Sequence, residues 1–501
     1  MIACGPYLEN AGPTGITVRW ASELDAPGVV RWGRAGGALE GEVGAASSEL
    51  RYARDPAHRR QPLSALAPGQ LASVRLYQAR LADLAPGTEY RYAVEFAGRI
   101  EEGAFRTFPA APEPFSFVAF SDTHCADAVA AAFAAHRPAF LISSGDLPDR
   151  EHYPDYLEFF SPAMTAAARN VPLFVARGNH DQSGRTLSRL FSYPDGRLYY
   201  SFDHANAHFV CLDSCLWRHP GAEENIAAML EWCEADLGAS QADWKVAFFH
   251  EPPFDMSHRR TDTDFGRLRA MPVFRRCGVD LVFSGHAHSY QRFGPLYMPG
   301  ENERRPITAV VSAGAGSKYM ALPPRAEPQL AVRRAESNYV LVRVDGPRLE
   351  LRALSPAGAE LDSLTIVKAG GEPDAAYLGA AVPEEPFGSI ARSLAEVWMP
   401  KAQVAAGEEF AVQVDLAAGP VPFEYEVRPS AESSGAVEPA APAAGALAAG
   451  ERAAVAVRLR ARADIRRSEK GNRASPELVL ECFFRAGAGR GVVSSDFVRV
   501  R

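Results

Sequence analysis

Lysine is nearly missing from this chain: five occur among 501 residues, against 48 arginines. With so much alanine alongside, this reads as codon bias and not as a functional device. A surplus of positive charge is missing too. The formal net charge is −8, which excludes a global basic field for holding nucleic acid or an anionic membrane. No uninterrupted apolar run approaches the ~18–20 residues that span a bilayer, so no transmembrane segment is expected. The opening Met1-Ile2-Ala3-Cys4-Gly5-Pro6 lacks a charged leader and a long apolar stretch. No signal peptide is read there and a cytoplasmic location is expected, with export to the periplasm open if the natural chain starts further upstream. The seven cysteines (Cys4, Cys125, Cys211, Cys215, Cys233, Cys277 and Cys482) are odd in number, scattered and never spaced C-x-x-C. That excludes a disulfide framework or a thiolate zinc site and leaves free, mostly buried thiols.

What is present divides the chain. At roughly 100–200 residues per domain, about three domains are expected. Residues 1–111 alternate as short strands between turns, as in Ile16-Thr17-Val18-Arg19-Trp20 and Tyr90-Arg91-Tyr92-Ala93-Val94, the pattern of an antiparallel sandwich. Leu84-Ala85-Pro86-Gly87-Thr88-Glu89-Tyr90 resembles the last corner of a fibronectin type III domain, where the tyrosine hydroxyl ties back to backbone and Trp20 would be core. Residues 112–368 change pattern. Apolar strand-like runs at Phe115–Phe120, Phe140–Ser144, Leu173–Ala176, Phe209–Leu212, Val246–Phe249 and Leu281–Phe283 interleave with helical periodicity, for example Ile226, Met229, Leu230, Cys233 and Leu237 on one face. Buried strands between helices predict a layered α/β domain. Residues 369–385 read as a linker and 386–501 as a second, C-terminal all-β sandwich, within which the Ala/Pro/Gly/Ser-rich 429–451 reads as a flexible loop.

Polar residues collect where the middle-domain strands end. Ser121-Asp122-Thr123-His124 follows the first run, Gly145-Asp146 the second, Gly178-Asn179-His180-Asp181 the third. His250-Glu251-Pro252-Pro253 and Gly285-His286-Ala287-His288 follow two later ones. Ligands of open α/β sheets gather outside the carboxyl ends of strands, so five such ends would converge on one crevice. Imidazole, carboxylate and amide oxygen without thiolate suit Zn, Mn or Fe, and there are more donors than one ion needs. Two ions roughly 3.5–4 Å apart would clamp an in-line phosphoryl displacement. Glycine ahead of Asp146, Asn179 and His286 fits sharp turns or close backbone approach.

These five blocks, in order and approximate spacing, resemble the signature of the calcineurin-like metallophosphoesterases. Tyr200-Ser201-Phe202-Asp203, His208-Phe209-Val210-Cys211-Leu212-Asp213 and Ser289-Tyr290-Gln291-Arg292 extend the resemblance to bacterial enzymes related to purple acid phosphatases, and it covers about residues 5–368. The resemblance implies an α/β four-layer β-sandwich flanked by helices. It also implies two divalent or trivalent metal ions: Asp122, His124 and His288 at one, Asn179, His250 and His286 at the other, Asp146 bridging. His180 would face the phosphate as general acid or oxyanion contact, oriented by Asp181, with His258 overhanging the crevice as a further phosphate or leaving-group contact. Purple acid phosphatases carry a tyrosine three residues after the bridging aspartate; here that position is Asp149. His124 is therefore expected to replace the phenolate, and the protein should not be purple.

The activity implied is hydrolysis of a small-molecule phosphomonoester by a hydroxide shared between the ions. The alternatives are a phosphodiesterase acting on cyclic nucleotides or phospholipid head groups, and a binding or adhesion protein around a relic core. The sequence sets neither the oligomeric state nor a role for the C-terminal domain.

Overall fold

The fold was analysed in a computed structural model. It describes residues 2–58, 61, 63–124, 129–216, 221–257, 265–296, 307–316 and 330–369. Beyond these it describes 372–373, 390, 394, 397–399, 401, 403–418, 421–429, 433, 435–467, 474–475, 478, 480–486, 489–494 and 498–500.

Alternating apolar residues in the first segment pair into two four-stranded antiparallel sheets. One runs Ile2–Gly12, Gly15–Ser22, Leu71–Leu81, Ala46–Ala53; the other Gly41–Gly44, Gly28–Arg34, Glu89–Phe96, Arg99–Arg106. Trp20 lies between them, stacked on Tyr77 at 5.2 Å and edge-on to Phe96 at 6.1 Å. The Tyr90 hydroxyl accepts a hydrogen bond from the Ala85 amide at 2.9 Å, the tie expected of the corner. One strand departs from simple alternation. Every residue of Gly15–Ser22 is buried, including Arg19 and Thr17 on the face that alternation assigns to solvent, because a loop of the next domain covers that face.

In the second segment, apolar runs without polar alternation need cover on both faces, and two mixed seven-stranded sheets supply it. In the first sheet Leu173–Val175, Phe140–Ser143 and Phe115–Phe120 run parallel, and Tyr339–Asp345, Arg348–Leu354 and Glu360–Ala369 continue it antiparallel. In the second, Ala207–Cys211, Trp244–Phe248, Leu281–Ser284 and Ile307–Ser312 run parallel. The sheets interlock through aromatic rings: Phe117 lies 5.3 Å from Phe140, 5.2 Å from Phe209 and 6.1 Å from Phe283. Helices cover the outer faces; Ala222–Ala239 buries Ile226, Met229, Cys233 and Leu237. Register brings Phe120, Ser143 and Val175 level across the first sheet and Phe248 and Phe283 level across the second. The polar blocks therefore leave their strands at one edge of the paired sheets.

Two expectations need correction. Lys368 and Ala369 pair with Glu372–Pro373 as a last hairpin, so strand continues into the start of the expected linker; 370–371 and 374–385 lie outside the described residues. Within the C-terminal strands, 429–451 is not a free loop. Val437–Pro439 pairs with the Arg452–Ala461 strand, and Ala443–Leu447 with Phe423–Pro429. Alanine and glycine carry little of the hydrophobic signal that marks a strand, yet the backbone ladder still forms, with Ala443 and Leu447 buried at its ends. The C-terminal strands form several sheets, and their apolar core is continuous with that of the second seven-stranded sheet and its helix. Among the described residues no helix is long and apolar enough to cross a membrane. Six of the cysteines are described and all are free, five of them buried.

Candidate metal centre

The strand ends deliver their side chains through unusual backbone. Asp122, His124, Asp146 and His286 all adopt positive φ (58°, 42°, 55° and 69°). Non-glycine residues held there cost on the order of 1–3 kcal/mol each and persist where the surroundings over-determine them. Two of the glycines have a steric reason. A Cβ on Gly285 would sit 2.0 Å from Ser121 Oγ and 2.5 Å from Asp122 Oδ2; one on Gly178 would sit 2.1 Å from Asp146 Oδ1. The blocks can approach only because those side chains are missing.

All seven sequence-predicted ligands meet. His124 Nε2 lies 3.2 Å from His288 Nε2 and 3.8 Å from Asp122 Oδ1, which is itself 3.3 Å from His288 Nε2. On the other side His250 Nε2 lies 3.0 Å from Asn179 Oδ1 and 3.2 Å from Asp146 Oδ2, and the rings of His250 and His286 are 5.0 Å apart. Asp146 Oδ2 is also 3.9 Å from His124 Nε2, so this carboxylate faces both halves. Converging donors form three overlapping groups: Asp122, His124 and His288; His124, Asp146 and His180; Asp146, His250 and His286. Imidazole, carboxylate and amide oxygen aimed at common points, with no thiolate among the described residues, fit two adjacent cations of the Zn, Mn or Fe kind.

Electrostatics agrees with that donor set at His124 and His286 and opposes it at His250, which would have to give up a proton to a bound cation. Burial lowers the pKa of His124, and burial with the nearby His250 lowers that of His286 to about 3. Both therefore rest as neutral imidazoles, the form that binds metal. Burial works against charge on His250, yet the Asp146 carboxylate pushes it up to about 10. Burial would raise Asp146, but His250, His180 and His124 hold it well below the usual carboxylate range. Burial works the same way on Asp122, and the bond from His288 with the charge of His250 brings it below that range.

A layer of hydrogen bonds fixes these side chains. Asp122 accepts from Ser121 Oγ at 2.5 Å and from the His286 amide at 2.9 and 3.1 Å. His250 Nδ1 donates to the Ser144 carbonyl at 3.0 Å, and the His180 amide donates to Asp146 Oδ1 at 2.7 Å. Arg177 and Asp213 form a buried ion pair beneath the block, with Nε donating to Oδ1 at 2.9 Å and Nη2 2.9 Å from Oδ2.

One expectation is overturned here. Asp181 does not orient His180. Its carboxylate accepts from the amides of Asp146 (3.0 Å) and Gly178 (2.8 Å) and from the Tyr156 hydroxyl (2.7 Å); burial and the neighbouring Asp146 charge push its pKa to about 7. It ties two strand-end loops together instead. The His180 ring is held by its Nδ1, which donates to the Asp149 carbonyl at 2.6 Å. His258 lies outside the described residues. Tyr290 and Arg292 point away from the centre, both bonded to Asp362. Sequence reasoning missed Ser121, Tyr156 and the Asp149 carbonyl. Ser121 could have been suspected from its place beside Asp122; a carbonyl contact and a helix tyrosine leave no pattern.

Residues 115–290 match the calcineurin-like phosphoesterase family and residues 4–110 the purple acid phosphatase N-terminal domain. Purple acid phosphatase 21 of Arabidopsis thaliana is 24% identical over 273 residues, covering 50% of this chain and 60% of that one. An uncharacterized protein of Mycobacterium tuberculosis is 27% identical over 289 residues, covering 47% and 54%. The chain thus spans little more than half the length of these relatives. A purple acid phosphatase from yellow lupin (Lupinus luteus) seeds shares the fold, with a TM-score of 0.61 at 19% identity over 73% of this chain and 74% of that one. Residues 115–290 are thus a calcineurin-like phosphoesterase domain, preceded at residues 4–110 by a purple acid phosphatase N-terminal domain.

Proposed function

We propose that this protein hydrolyses phosphomonoesters at a dinuclear metal centre. The observation that carries the reading is the position of Asp146, whose Oδ2 lies 3.2 Å from His250 Nε2 and 3.9 Å from His124 Nε2. One carboxylate there can serve two neighbouring cations. In this reading Asp122, His124 and His288 hold one cation, Asn179, His250 and His286 the other, and Asp146 is shared. Two such cations, when bound, would supply Lewis-acid polarisation of the phosphoryl oxygens and would lower the pKa of water towards neutrality.

The chain's own part follows from its hydrogen bonds. The Asp149 carbonyl can only accept, so His180 Nδ1 carries the proton of that bond and Nε2 is left to hold or release one. A protonated Nε2 would donate to the phosphoryl or leaving oxygen as negative charge develops. Asp181 acts at one remove, by fastening the amides of Gly178 and Asp146. The domain division at 1–111, 112–368 and 386–501 belongs to the same reading, supported by sheets that close within each segment apart from the hairpin beyond 368.

Loading the purified protein with Mn, Zn or Fe and comparing nitrophenyl phosphate with bis(nitrophenyl) phosphate tests this. The monoester should be preferred, with two metals per chain. His180→Ala should lower kcat by about 10²–10⁴-fold and keep both metals. Asp146→Asn should lose metal and more than about 10³-fold in kcat. Preference for the bis-ester would make the protein a phosphodiesterase; two bound metals without turnover of either ester would make it a binding protein.

A further inference from the structure

We propose that the N-terminal sandwich forms one wall of the substrate groove, and that this groove selects phosphate esters whose alcohol is large and carries a flat ring, of nucleoside size. The proposal rests on the phosphoesterase reading above. A cavity of about 920 Å³ opens between the two domains. Its first wall is the end of the Ala46–Ala53 strand, with Tyr52, together with Gln61 and Leu63. Its second wall is built from the continuations of two loops of the metal centre: Glu151–Tyr153 after Asp146 and Asp149, and Gln182–Arg189 after Asn179 and His180.

The walls are pinned to the centre and to each other. The two loops join where His180 Nδ1 donates to the Asp149 carbonyl, and again where Glu151 accepts from the amide of Ser183 (2.8 Å), its hydroxyl (2.7 Å) and the amide of Thr186 (3.2 Å). Across the domain boundary Arg189 donates to the Glu49 carbonyl at 2.9 Å, and His152 Nε2 bonds the Ala53 carbonyl at 2.7 Å. A groove bolted on both sides is formed before substrate arrives, which spares the ordering cost of binding.

Its lining sets the class of occupant. Tyr52 is half-buried, its ring held 5.1 Å from Tyr153 and 5.8 Å from His152. Leu63 is an exposed apolar side chain on the same rim. Arg51 and Arg185 bring exposed guanidinium groups, which stack on flat rings as well as pairing with anions. A small aliphatic alcohol would leave these faces in water, whereas cavities of this size bury ligands of drug dimensions.

The test compares adenosine 5′-monophosphate with glycerol 2-phosphate on metal-loaded enzyme. Both leave an alkyl alcohol, so their ratio of kcat/KM reads the groove and not the chemistry. Calorimetry with adenosine, which has no phosphate, reads the groove without catalysis. The expected wild-type ratio is at least about 10-fold in favour of the nucleotide. Tyr52→Ala and the surface change Leu63→Ser should each reduce it about 5-fold or more through KM, and adenosine affinity should fall in parallel. A wild-type ratio near one, a ratio unmoved by both variants, or adenosine that does not bind would overturn the proposal. Adenosine bound through Tyr52 with neither ester hydrolysed would leave the groove standing and remove the hydrolase reading.

Discussion

The two flanking β regions meet the α/β body differently. Both share apolar core with it, but the N-terminal sandwich adds polar groups buried at the boundary, beside ring contacts such as Tyr7 with Phe160 at 4.7 Å. Arg19 donates to Glu9 (3.1 Å), to Ser192 Oγ (2.9 Å) and to the Arg189 carbonyl (2.6 Å). Glu9 also accepts the Ser192 amide at 2.9 Å, and the Tyr7 hydroxyl bonds the Leu190 carbonyl. The C-terminal strands meet the body with an apolar core shared with the Ala222–Ala239 helix, and with the Phe483 ring held between Arg334 (4.7 Å) and Arg428 (3.9 Å). Directional bonds fix a geometry, while apolar contact supplies adhesion without fixing one. The polar boundary stands beside the loops of the metal centre and the apolar one does not, so position matters at the first and stability at the second.

Breaking the polar boundary should therefore have the larger effect, and a double effect. Glu9→Gln leaves the Arg19 guanidinium buried without its anion, which costs about 3–5 kcal/mol. It also frees the 187–193 segment that forms part of the groove. Denaturant unfolding should show the loss of stability, and KM for a phosphate ester should rise while metal content stays at two. A Glu9→Leu, Arg19→Met double variant should recover most of the stability, because a buried pair replaced by apolar groups leaves no stranded charge, without restoring KM. Wild-type KM in Glu9→Gln would show that the N-terminal domain only packs.

Phe483→Leu is the matching cut on the other side. Losing one ring and two guanidinium contacts should cost roughly 1–2 kcal/mol, read as a lower unfolding midpoint, with KM, kcat and metal content all at wild-type values. A shift in KM would mean that the C-terminal strands also set the geometry of the centre.

The contrast explains what the sequence could and could not disclose. Candidate ligands such as Asp122, Asp146 and His286 were legible because each stands just after a buried strand, in short blocks whose glycines are required by close approach; the constraint is local, so it leaves a local pattern. Glu9 and Arg19 are ordinary polar positions of alternating strands, and the partner that buries them lies more than 170 residues away. Nothing near them records it. Asp181 was misread for a related reason. Adjacency to His180 pointed to a side-chain contact, but successive residues in a tight loop face different ways, and its carboxylate turns to the backbone of Gly178 and Asp146. The paired strands within 429–451 were hidden by composition, since a ladder of small residues forms by backbone bonds alone.

The smallest expected effect lies inside the α/β body, where the Ala222–Ala239 helix meets the second sheet. His208, on the second sheet, bonds Asp236 of that helix at 2.9 Å through Nε2 and Asp203 at 2.7 Å through Nδ1. Burial alone would lower its pKa, but the bonds to the two carboxylates more than reverse this, and the folded value lies above the ordinary 6.5. The folded state thus binds this proton more tightly than the unfolded chain. The contribution is fully present below about pH 6.5 and is lost as pH rises through the raised value. Asp203 is largely exposed, so solvent screening keeps the gain under about 1 kcal/mol. Unfolding midpoints of wild type and His208→Gln measured from pH 5.5 to 9 should differ most at the acid end and converge towards the alkaline end. By contrast, the charge of Arg19 at the N-terminal boundary does not titrate in that range, its pKa raised further by Tyr7 and Glu9 against the opposing effect of burial. A gap between wild type and His208→Gln that stayed constant with pH would reduce the histidine to packing between the second sheet and its helix.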